Sequence, residues 1–140
     1  MKKVLFTIML SCAALFSSAQ FTMVSTINAP ADNEDWSVSN VTNNMGLGYN
    51  INSNTMVGLV KSGDDYNVFA RHKVGFFGIH YLSLETPTEN IADNAQIGLG
   101  WSICLYNNLY IEPNYTMPLN EDDNGNREGK FNVGLAYRFN

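Results

Sequence analysis

Residues 130–139 read Lys130-Phe131-Asn132-Val133-Gly134-Leu135-Ala136-Tyr137-Arg138-Phe139. In an extended chain Phe131, Val133, Leu135, Tyr137 and Phe139 fall on one side, and Asn132, Gly134, Ala136 and Arg138 on the other. Strict period-two alternation marks a strand with one apolar and one polar face. The pattern recurs upstream: Ile97, Leu99, Trp101, Ile103 and Leu105 alternate with Gln96, Gly98, Gly100, Ser102 and Cys104. Met45, Leu47, Tyr49 and Ile51 alternate with Gly46, Gly48, Asn50 and Asn52, and Leu109, Ile111, Tyr115 and Met117 oppose Tyr110, Glu112, Asn114 and Thr116. After residue 19 no segment keeps a helical apolar period over three turns, so the class read from the sequence is all-β.

Composition agrees. Charged residues make up 15% of the 140 and aromatics 12%, which excludes the usual composition of a disordered segment. The 19 Asn and 11 Gly against 4 Pro favour tight turns between strands. Lys2 and Lys3, an apolar run from Val4 to Phe16, and Ser17-Ser18-Ala19 form a secretory signal peptide cleaved after Ala19. The run is too short to span a bilayer as a helix, which needs about 20 apolar residues. A lipobox ending at Ser11-Cys12 is a second reading, set against it by the apolar stretch continuing past Cys12. Residues 20–140 then form one domain, with Cys104 as its lone cysteine and no intramolecular disulfide.

Cutting at turn signals predicts eight strands: 21–28, 44–52, 55–61, 66–73, 76–84, 95–105, 109–118 and 130–139. The connections run 15, 2, 4, 2, 10, 3 and 11 residues, so every second one is short. Residues 20–140 carry 13 acids and 6 bases, a net charge of −7, and 12 of the acids fall in the first, third, fifth and seventh connections. They are Asp32, Glu34, Asp35, Asp64, Asp65, Glu85, Glu89, Asp93, Glu121, Asp122, Asp123 and Glu128. Short turns on one side and longer, charged loops on the other describe an up-and-down barrel whose even strand count returns both termini to one end.

Periodicity alone does not separate a soluble barrel, apolar inside, from a membrane barrel, apolar outside. The polar face is rich in Gly, at 46, 48, 98, 100 and 134, which weakens a solvated strand but makes room inside a narrow barrel. The apolar face carries Tyr49, Trp101, Tyr115, Tyr137 and Phe139, as an interfacial aromatic belt does. The expectation is therefore an eight-stranded antiparallel up-and-down transmembrane β-barrel, the alternative being an exported soluble β-barrel around an apolar ligand.

The chain resembles small bacterial outer-membrane β-barrel proteins of the OmpA/OmpX-like or porin-like class, across nearly all of residues 20–140 in pattern and most specifically in 130–139. The resemblance implies an outer-membrane location, contact with outer-membrane lipid, and recognition of the last strand by the barrel-insertion machinery. Asn140 displaces the terminal aromatic by one position, and Pro113 removes a ladder donor within a strand, for which a bulge is the simplest repair. Residues 55–61 and 66–73 are weaker strands, with Met56, Val57, Leu59 and Val60 on both faces and Phe69 between inward residues.

No converging catalytic set emerges. His80 and Ser83 differ by an odd number and so point to opposite faces, which weakens a lipid-modifying enzyme reading. His72 reads as interfacial. Residues 120–128 lack the twelfth-position Glu and the flanking helices of an EF-hand, so they read as a solvated hairpin tip, and no cofactor is expected. Net acidity argues against nucleic acid. The functional expectation is a noncatalytic barrel with a structural or surface-interaction role and acidic external loops. Inside it Glu112, placed as the only acid within a strand, is expected to pair with Arg138, with Arg71 and Lys73 as competing partners.

Overall fold

Each run of alternating residues becomes a strand, and each strand pairs antiparallel with its neighbour in sequence. The computed structural model describes residues 20–30, 33–91 and 93–139; the expected leader, residues 1–19, lies outside them. The strands are β1 (Phe21–Ile27), β2 (Met45–Asn50), β3 (Thr55–Ser62), β4 (Asp65–Phe76), β5 (Ile79–Pro87), β6 (Gln96–Gly100), β7 (Ile103–Tyr106), β8 (Leu109–Pro118) and β9 (Lys130–Arg138). A short helix, α1 (Ser39–Thr42), lies in the first loop. The sheet runs β6-β5-β4-β3-β2-β1-β9-β8, and β6 pairs with β8 to close it. Because β7 continues the line of β6 along β8, the barrel has eight staves. Closure pairs every stave on both sides except along β7, whose described ladder joins β8 alone.

The interior is polar and the exterior apolar. Thr22 is 3% exposed and Glu112 4%, whereas Leu47 is 50% and Phe131 66% exposed. This is the inverse of a soluble core. The small apolar cluster inside consists of Val24, Val60, Phe69 and Ala136, with Met56 and Tyr110 packed against it. It accounts for the weak alternation of 55–61 and 66–73: Met56, Val60 and Phe69 turn inward to pack on one another across β3 and β4. Space for the Phe69 ring comes from two facing glycines. A Cβ on Gly58 would lie 2.7 Å from Phe69 Cζ, and one on Gly48 would lie 3.1 Å from the same atom.

Several boundaries differ from those read in the sequence. The turn expected at 74–75 is a bulge, with the β4–β5 register slipping by one residue between Lys73 and Phe76. The reversal falls instead at Phe77 and Gly78, both at positive φ (49° and 75°), the geometry of a two-residue hairpin turn. β5 extends to Pro87, so Glu85 lies in a strand rather than in the third long connection, and Glu112 is not the only strand acid. Pro113 marks no bulge: β8 pairs with β9 in unbroken register from Leu109↔Tyr137 to Thr116↔Lys130. The cost of its missing N–H appears on its other side. Trp101 N–H donates to Pro113 O at 3.0 Å with no reciprocal donor, and the sixth stave is interrupted at Trp101 and Ser102. His80 covers the gap, its Nδ1 3.0 Å from Ser102 N. His80 thus sits near the start of its strand rather than in its middle.

The connections 51–54, 77–78 and 107–108 and both described chain ends lie at one end of the barrel. The loops 28–44, 88–95 and 119–129 lie at the other, with the tight turn at Gly63 and Asp64. There α1 folds back on β1, where Ser25 Oγ donates to Val41 O at 2.5 Å. In the last loop Asp122 Oδ1 accepts the N–H groups of Asn124 (2.9 Å) and Asn126 (2.8 Å), a self-contained hairpin tip.

The two glycines differ in what surrounds them. Around Gly58 the obstructing atoms include backbone of Leu47 and Gly48, whereas around Gly48 they are the flexible end of Met56 and the edge of Phe69. Gly58→Ala should therefore destabilise the folded barrel by about 1–3 kcal/mol, and Gly48→Ala by less. Urea unfolding midpoints in detergent test the order.

Candidate functional site

Midway along the lumen, polar-face residues from four staves converge. Glu112 on β8 is held by Arg71 from across the barrel, with Nη1 to Oε2 at 2.5 Å. Its second oxygen accepts a hydrogen bond from Ser102 Oγ at 3.0 Å. Ser102 Oγ in turn accepts from Arg138 Nη2 at 2.9 Å. The chain Arg71–Glu112–Ser102–Arg138 links β4, β8, the sixth stave and β9. Both guanidinium groups lie over aromatic rings: Arg138 is 3.8 Å from the Tyr110 centroid, and Arg71 is 4.9 Å from that of Tyr81 and 5.3 Å from that of Phe69.

The expected direct Glu112–Arg138 pair is thus replaced by a Glu112–Arg71 pair, with Arg138 one hydroxyl removed. Register explains why. Glu112 lies opposite Gly134 on β9, four residues and about 13 Å of strand from Arg138. Arg71 instead faces it across the lumen. Lys73 stands apart at the short-turn mouth, its Nζ donating to Ser53 O at 2.9 Å. Of the other strand acids, Asp65 begins β4 and is exposed, whereas Glu85 points inward, where Oε1 accepts from Asn67 Nδ2 at 2.7 Å.

This septum divides the lumen. On the short-turn side a cavity of about 870 Å³ is lined by turn residues 52–54, Lys73, His80, Ser102, Arg138 and the septum itself. On the long-loop side a smaller cavity of about 290 Å³ is lined by residues that include Ser83, Glu85, Asn114, Lys130 and Asn132. Arg71 and Tyr81 line both, so they form the wall between them.

Ser83 faces the long-loop cavity, while the His80 imidazole is engaged with the backbone of Ser102 at the short-turn side; the structure does not bring the two together. His72 faces outward beside Thr55, with Nδ1 to Oγ1 at 3.0 Å. Cys104 is exposed, its Sγ donating to Asn107 O at 3.3 Å. Among the described residues no three His, Cys, Asp or Glu side chains gather as a metal site would need. The aromatics picked out on the apolar face all lie outside. Tyr137 and Phe139 meet edge to face at 5.2 Å, and Tyr49 meets Phe21 at 5.4 Å, both near the short turns; Tyr115 lies toward the long loops. Trp101 lies midway along its stave and belongs to neither end.

Sequence reading missed Ser102, although it shares the polar face with Gly98 and Gly100. Counting back from the three-residue connection read at 106–108 already sets Ser102 opposite Glu112, and the register slip between Cys104 and Tyr106 keeps it there although the turn tightens to Asn107 and Asn108.

Breaking a buried ion pair by removing one partner typically destabilises by about 3–5 kcal/mol, because the other charge is left uncompensated. Glu112→Ala and Arg71→Ala should each cost an amount of this order, and Arg138→Ala less. A double-mutant cycle should show strong coupling for Glu112 with Arg71 and weaker coupling for Glu112 with Arg138. Unfolding free energies of the single and double variants measure both.

No protein-family model, curated protein or solved structure matches this chain, so the functional reading rests on its own geometry.

Proposed function

We propose that the protein is a noncatalytic bacterial outer-membrane barrel with a structural or surface-interaction role. The observation that carries this reading is the inverted polarity. Leu47, Leu59, Phe76, Phe131 and many other large apolar side chains face outward, while Thr22, Asn67 and Glu112 are buried inside. Apolar surface on this scale calls for an apolar surrounding. A bilayer supplies it, and aromatic side chains near both ends of the staves suit its two interfaces.

The septum supports a closed barrel rather than a diffusion pore, as the narrow interior of eight staves leads one to expect. A soluble barrel holding an apolar ligand gains no support, because both cavities are lined by charged and amide side chains. A lipid-modifying enzyme gains none either, since His80 and Ser83 serve different compartments. The acidic loops then face the exterior, the short turns and both termini face the periplasm, and the last strand is what the insertion machinery reads.

Fractionation of expressing cells tests this. The chain, beginning at Gln20, should sediment with outer membrane and run differently on a gel before and after heating. Protease added to intact cells should cut within 29–43 or 119–129 and spare the turn at 107–108. Recovery in the soluble periplasmic fraction without detergent would overturn the reading, and cleavage of the long loops only after permeabilisation would invert the orientation.

A further inference from the structure

The short-turn cavity carries more positive charge than its own walls neutralise. Glu112 is the one carboxylate lining it, and both of its oxygens are already engaged, one by Arg71 and the other by Ser102. Arg138 and Lys73 line the same cavity, and neither meets a carboxylate among the described residues. Among the described residues the Arg138 guanidinium donates to the Ser102 hydroxyl and the Lys73 ammonium to a backbone carbonyl of the turn. Two cations therefore share one recess, Arg138 half-buried and Lys73 exposed at its mouth, within a chain whose residues 20–140 carry a net charge of −7.

The long-loop cavity is lined by the same sum of charges, Lys61, Arg71 and Lys130 against Glu85, but it lies at the end that carries the acid-rich loops, whereas Glu112 is the one acid lining the short-turn cavity.

We infer that this cavity is a binding site for a small dianion or polyanion bearing carboxylate or phosphate groups. Its volume, about 870 Å³, lies in the range of small-molecule sites. The Arg138 guanidinium carbon sits over the Tyr110 ring, 3.8 Å from its centroid, with one nitrogen tied to Ser102. A guanidinium fixed in this way offers its remaining N–H groups in the planar geometry that carboxylate and phosphate oxygens match. Lys73, exposed at the mouth, supplies a second positive charge. A ligand with two anionic groups can meet Arg138 at depth with one and Lys73 at the rim with the other. The site stands on the lumen's charge and geometry, and it holds whether the barrel lies in a membrane or in solution.

Isothermal titration calorimetry on the purified, folded barrel in neutral detergent at low salt tests the inference, with citrate and inorganic pyrophosphate as probes in separate arms. Saturable binding of citrate alone would identify a carboxylate site, of pyrophosphate alone a phosphate site, and of both a general oxyanion site; each supports the proposal. Lys73→Gln and Arg138→Gln should each weaken binding by about tenfold or more, the scale of one lost charge-assisted contact. Arg138→Lys should retain part of the affinity. Lys130→Gln, in the opposite cavity, should leave it unchanged. Lys73 makes only one backbone contact, so its variant keeps the test open even if Arg138→Gln fails to fold. Absence of saturable binding in both arms would overturn the proposal, as would binding that survives Lys73→Gln and Arg138→Gln, or that falls equally in Lys130→Gln.

Discussion

A carboxylate enclosed by a barrel must find its charge partner within the barrel. Glu112 finds Arg71, which lies three staves away around the wall in one direction and five in the other, so their contact spans the lumen. The ladder alone sets neighbours; this pair ties β4 to β8 across the middle. The side chains around it serve the pair. Tyr81 and Phe69 flank the Arg71 guanidinium, Gly48 and Gly58 make room for Phe69, and Ser102 occupies the second oxygen of Glu112.

Placement of Ser102 depends on a backbone irregularity. Pro113 presents no N–H to the sixth stave, and the stave is interrupted opposite it. The register slip beyond Cys104 keeps Ser102 level with Glu112. His80 then satisfies backbone of Ser102 that the ladder leaves open. A proline that weakens the wall thus coincides with the hydroxyl that extends the septum to Arg138. The septum in turn gives the lumen two compartments, a wider one toward the short turns that Arg138 and Lys73 line and a narrower one toward the acidic loops lined mainly by amides and hydroxyls. Under the proposed membrane orientation, the first opens to the periplasm and the second lies beneath the external loops.

The staves were legible in the sequence because alternation is a local property of an extended chain. Phe131 to Phe139 and Met45 to Ile51 show which side chains share a face without any tertiary information, and the Gly-rich polar face told which side turns inward. Turn positions were legible only in part. Gly75 looks like a turn residue but sits in a bulge, and the reversal needed the positive φ values of Phe77 and Gly78. Glu85 was read as loop for the same reason, since moving one turn shifts the strand that follows.

Taken by itself, the sequence determined the all-β class, the strand count, the placing of the three longest connections at one end and the sorting of acids to that end. Each follows from residue spacing along the chain. Only the tertiary structure decided that Glu112 meets Arg71 rather than Arg138, that Ser102 joins them, and that two cations remain uncompensated in one cavity. Those outcomes depend on which residues face each other across a closed lumen. Stave tilt and single-residue register slips at Lys73–Phe76 and Cys104–Tyr106 set that arrangement, and a period of two carries no record of either.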